Sequence, residues 1–161
     1  MGQDGKIDLI TVGGEAVSRL GPATLFALLR DPTTWPQWSF IDRFALERPG
    51  IGERDGLGAI RNFRTGPVLA REEVVELTPY SRFGYALLSG LPVHDYRANV
   101  DLIPMDGELT LVRWYASFRP NIPGTGWAMR IFLRDVLVRS VRALAAVDAA
   151  RARAMLVTEQ D

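Results

Sequence analysis

Apolar and polar residues alternate with a period of two through the middle of the chain and recur with a period near 3.6 toward its end. In Tyr96-Arg97-Ala98-Asn99-Val100-Asp101-Leu102 the two kinds of residue fall into separate odd and even sets. That is the pattern of a strand with one buried and one wet face. Segments of this kind predict strands at Arg43 to Arg48, Gly58 to Arg64, Leu69 to Leu77, Arg82 to Leu88, Tyr96 to Ile103 and Leu109 to Arg119. The turns between them carry PGIG, TGP, TPYS, SGLP and MDG, rich in glycine, proline and aspartate. A first strand is read from Lys6 to Val12, running on toward Ser18.

Two helical patterns flank the strands. Gly21-Pro22 opens a short helix, because proline at the first helical position lacks an N–H that would be unpaired there. The helix runs to about Arg30, where Pro32 stops it, and Thr33 to Trp38 makes a further short helical turn. From about Gly126 to Arg153 no proline occurs, and Met129, Leu133, Val136, Leu137, Val141, Leu144 and Val147 form one apolar stripe at helical spacing. Arg130, Arg134, Asp135, Arg139 and Arg142 fall on its other faces, and Thr125 is placed to cap its start. The order is strand, two short helices, six strands and a long helix, read as one domain over residues 1–161.

Composition narrows the function classes. Lys+Arg and Asp+Glu both number 19, so the formal net charge is zero, which argues against broad electrostatic binding of nucleic acid. No cysteine is present, so disulfides, thiol nucleophiles and cysteine-ligated zinc are excluded. With a single histidine and no spaced carboxylate cluster, neither a metal nor another cofactor is expected. The glycines of PGIGERDGLG lack the strand–loop–helix setting of a phosphate-binding loop. No apolar run approaches ~18 residues and the first residues do not read as a signal peptide, so a cytoplasmic location is expected.

Several stretches together resemble the helix-grip fold of the SRPBCC superfamily, which includes START-related domains and the birch pollen allergen family. They are GPATLFALLRDPTTWPQW, the glycine and arginine of GAIRNF, the hairpin REEVVELTPYSRFGYAL, IPMDGELT, and the Trp114 strand followed by FRPNIPGTG and the final helix. The polyketide cyclase/dehydrase and lipid-transport branch is the most similar. The resemblance implies an α+β fold: a strongly curved antiparallel sheet around a long C-terminal helix, with a space between the two and the short helices near its mouth.

In that fold Trp35 and Trp38 would close one end of the space, although both rings are equally consistent with plain core packing. Strand parity adds a lining. If Val100 and Leu102 face inward, so do Tyr96 and His94, provided no bulge intervenes. Trp114 and Phe118 share a face on the last strand, Tyr85 joins Phe83 and Leu87, and Met129, Phe132 and Leu133 approach from the helix. The expected ligand-binding set is therefore Trp38, Tyr85, Tyr96, Trp114, Phe118, Met129 and Leu133, followed by Trp35, Arg61 and His94. Each polar member has a plainer alternative. The tyrosines bond to backbone or water, His94 sits at an exposed strand end, and Arg61 pairs with Glu72 or Glu73 of the next strand.

Three functions fit. The first is binding of a hydrophobic or aromatic small molecule, or a lipid, between sheet and helix. The second is a polyketide cyclase or dehydratase working in the same space, with tyrosines or His94 moving protons. The third is a protein-interaction module whose interior is filled. No catalytic triad or nucleophile elbow is present, and this places binding first.

Overall fold

A computed structural model describes residues 8–157. Seven strands form one antiparallel sheet in the order β1-β7-β6-β5-β4-β3-β2. They are β1 (Ile10–Ser18), β2 (Arg43–Arg48), β3 (Ile60–Thr65), β4 (Val68–Thr78), β5 (Arg82–Ser89), β6 (Val93–Met105) and β7 (Leu109–Pro120). The helices are α1 (Pro22–Arg30), α2 (Trp35–Trp38), α3 (Gly126–Ala145) and α4 (Ala149–Val157). This is the α+β helix-grip architecture. Lys6 and Ile7, read as the start of the first strand, lie outside the described residues.

The final helix is not continuous, in contrast to the reading from Gly126 to Arg153. It breaks between Ala145 and Ala149 because Asp148 starts a new helix: its Oδ1 accepts the Arg151 backbone N–H at 2.8 Å, as an N-cap does. Thr125 does not cap α3 with its side chain. Its hydroxyl instead donates to the Ile122 carbonyl at 2.6 Å.

The core follows the two periodicities. On β7 Thr110, Val112, Trp114, Ala116 and Phe118 are all buried, and on α3 so are Leu133, Leu137, Val141 and Leu144. α3 lies over β1 and β7. Gly14 of β1 permits this close approach, since a Cβ there would stand 3.0 Å from a methyl of Val138. α1 reaches toward β5 and β6 from one end. No helix among the described residues is long and apolar enough to cross a membrane.

Candidate functional site

With α3 over β1 and β7, the inner face of β3, β4 and β5 is left partly uncovered, and a recess of about 340 Å³ lies there. Its walls are Phe63 and Thr65 of β3, Val68, Ala70 and Glu72 of β4, Tyr85 and Leu87 of β5, Tyr96 of β6 and Trp114 of β7. Trp35 closes one side, and Phe132, Leu133, Val136 and Leu137 approach from α3. Phe40 and Arg139 stand where it opens, with the guanidinium 5.0 Å from the ring centre.

The WPQW turn is anchored by backbone carbonyls at the end of α1. Trp35 Nε1 donates to the Leu29 carbonyl at 3.1 Å, and Thr34 Oγ1 donates to that of Leu28 at 2.8 Å. Trp38 Nε1 then donates to Thr34 Oγ1 at 3.1 Å. Trp35 stacks on Phe63 with ring centres 4.9 Å apart and meets Trp114 edge-on at 5.7 Å. One tryptophan of the pair therefore borders the recess. The other packs behind it, 5.1 Å from Trp35.

Of the expected set, Trp35, Tyr85, Tyr96, Trp114 and Leu133 border this one space. Trp38 and Phe118 lie in the core, the latter stacked on Tyr96, and Met129 packs against the core edge. His94 does not share Tyr96's face. The β6–β7 register shifts between His94 and Arg97, and Asp95 takes a positive φ of 53°. That bulge turns His94 outward, where its Nδ1 lies 2.7 Å from Asn121 Oδ1. Among the described residues no group of three or more metal-ligating side chains is assembled.

Arg61 sits directly behind the wall and is completely buried. Its guanidinium carbon lies 4.9, 5.0 and 4.8 Å from the ring centres of Trp35, Phe63 and Phe83. Nη1 donates to the Leu29 carbonyl at 3.1 Å, so a cation also meets the C-terminal end of the α1 dipole. Arg61 and Glu72 are cross-strand partners, which puts both side chains on the inner face. The Nη2–Oε2 separation of 3.8 Å makes them an ion pair without a hydrogen bond.

Glu72 is the wall's one carboxylate, and the sequence reading left it as a salt-bridge partner only. Its Oε2 is buried with no hydrogen-bond partner. Burial raises its carboxyl to about 7, against the opposing pull of Arg61. Burial also lowers the pKa of Arg61, although a guanidinium stays charged through the physiological range. Beside Glu72, Trp114 Nε1 donates to the Tyr85 hydroxyl at 3.1 Å. Tyr96 borders the same space, its ring centre 6.4 Å from that of Tyr85. A phenol can both donate and accept, so Tyr96 can give its proton to an acceptor in the recess. Burial dominates both phenols and holds them neutral.

The family model described as polyketide cyclase / dehydrase and lipid transport matches residues 10–147. The chain belongs to this family. Comparison with curated proteins returns no match. Solved structures share the fold at low identity. A START superfamily protein from Mycobacterium smegmatis superposes with a TM-score of 0.73 at 13% identity, over 90% of this chain and 98% of that one. The protein XoxI from Bacillus cereus gives 0.69 at 15%, over 94% and 99%. Norcoclaurine synthase from Thalictrum flavum gives 0.67 at 11%, over 86% and 85%. These likenesses carry the architecture. The recess of this family member rests on its own side chains.

Proposed function

We propose that the chain binds a hydrophobic or aromatic small molecule, or a lipid, in the recess between the β3–β5 side of the sheet and α3. The observation that carries this reading is the wall of five aromatic side chains from separate elements: Trp35, Phe63, Tyr85, Tyr96 and Trp114. They surround a volume in the range of small-molecule sites, about 300–1,000 Å³. Glu72 and the two phenols add a few polar groups to a mostly apolar surface, the kind of lining that fixes the orientation of a ligand. Native mass spectrometry of the purified chain tests the reading, with a retained small molecule that leaves on denaturation as the expected result. A chain that carries nothing and takes up no aromatic or long-chain probe would sink it.

A second reading is a polyketide cyclase or dehydratase in the same space. What favours it is Glu72, a carboxyl raised to about 7 beside two phenols. An acid with a pKa near the working pH is suited to give and take a proton. The enclosure would hold a reactive chain in position and limit water.

A further inference from the structure

The polar end of the recess offers a specific pattern of hydrogen-bonding capacity, and that pattern selects a functional group. Glu72 Oε2 is a buried acceptor with no donor. Arg61 does not fill it, because its guanidinium is held among three aromatic rings and by the Leu29 carbonyl, leaving 3.8 Å to the carboxylate. A buried acceptor without a donor is costly. Tyr96, in the same wall, carries a phenol that can give its proton. Arg61 Nε and Nη2 are also buried without hydrogen-bond partners, but Arg61 stands behind the wall and does not line the space. The recess surface thus presents an unfilled acceptor, Glu72 Oε2, and a phenol able to donate, Tyr96.

A hydroxyl is the neutral group that answers both at once, donating to the carboxylate while accepting from the phenol. An ether or ketone can only accept. An ammonium can only donate, and it would add a second cation beside Arg61. Building on the ligand-binding reading above, we infer that Glu72 and Tyr96 together select an aromatic or polycyclic ligand that carries a hydroxyl group at this end of the recess. Arg61 acts as a positioning residue. It holds Glu72 on the inner face by charge without competing for its oxygen.

Equilibrium dialysis of the whole chain at pH 8 against 2-naphthol, 2-methoxynaphthalene and 2-methylnaphthalene tests this. The three probes share a ring system and differ in offering a donor and acceptor, an acceptor alone, or neither. 2-Naphthol should bind about tenfold or more tighter than 2-methylnaphthalene, since its hydrogen bond meets a charged acceptor. 2-Methoxynaphthalene should fall within about threefold of 2-methylnaphthalene. Glu72→Gln keeps the size but loses the charge, and should shrink the naphthol preference to about threefold or less while leaving 2-methylnaphthalene unchanged. Equal binding of 2-naphthol and 2-methylnaphthalene by the unaltered chain overturns the inference and leaves the ligand reading standing. So does a naphthol preference that survives in a folded Glu72→Gln chain. If none of the probes binds saturably, the ligand reading and this inference fall together. The wild-type comparison decides the matter even if the variant does not fold.

Discussion

The two sides of the sheet are built from the same kind of alternating strands and end in opposite states. On the β1–β7 side α3 lies directly on the strands, and Val112, Val141 and Leu144 are fully buried. On the β3–β5 side Val68 and Phe132 face the recess and remain 37% and 42% exposed. The cause is geometric. Seven strands spaced at about 4.8 Å span roughly 30 Å, and a helix is only about 10 Å across. One helix cannot cover that sheet, and Gly14 biases it to one side by letting it sit close to β1. The opposite side gains no second helix along its length, so its inward side chains border space. Apolar area there is uncovered, and the buried Glu72 Oε2 has no hydrogen-bond partner.

If the division is real, a cut on the packed side should damage stability and leave the recess alone. Leu144→Ala should lower unfolding free energy by about 2–5 kcal/mol in a urea titration, because a fully buried leucine leaves a cavity behind. Its affinity for 2-naphthol should stay within about twofold of the unaltered chain under conditions where both are folded. A loss of affinity matching the loss of stability would show that the two sides are not separable.

The recess side should announce itself through pH. The folded-state pKa of Glu72, about 7, lies above its value of about 4.5 in the unfolded chain. The folded state therefore holds this proton more tightly. The resulting stabilisation is fully present below pH ~4.5 and is lost as pH rises through about 7. Relative to Glu72→Gln, which cannot titrate, the unaltered chain should lose about 2–3 kcal/mol of stability between pH 5 and pH 8. Parallel stability–pH curves for the two chains would place the carboxyl in ordinary solvent. Tyr85→Phe should cost less, about 1–3 kcal/mol, by leaving the buried Trp114 Nε1 without its acceptor. A thermal midpoint unchanged from the unaltered chain would contradict that bond.

The fold was legible because each strand carries its own alternation and each helix its own stripe, signals that need no knowledge of distant residues. Tyr85, Tyr96 and Trp114 could be assigned to the inner face on that ground. Glu72 could not. In Leu69 to Leu77 the odd set holds Leu69, Val75 and Leu77, and simple alternation would bury it and expose Glu72. The structure does the reverse over the first half of β4, because the β4–β5 register shifts between Val74 and Glu76 and the strand changes parity there. A bulge of this kind also turned His94 away from Tyr96. Bulges are set by how two strands meet, which one strand's pattern does not encode. The break after Ala145 differs. Asp148 within AVDAAR was a visible N-cap signal, obscured by the unbroken run of good helix formers around it.

The smallest predicted effect separates the two tyrosines. The Tyr85 oxygen accepts from Trp114 Nε1, and its loss leaves that buried indole unpaired. Tyr96 borders the recess, where its phenol can donate to a ligand. Tyr96→Phe removes that donor and leaves the ring stacked on Phe118 in place. It should weaken 2-naphthol by about 0.5–1.5 kcal/mol, or severalfold in dialysis, and 2-methylnaphthalene by less than about twofold. Two readouts then fix the assignment. Equal weakening of both probes would mean that the ring, and not the oxygen, makes the contact. Unchanged binding of both would place the ligand elsewhere in the recess, leaving the Tyr85 hydroxyl to serve only the packing of Trp114.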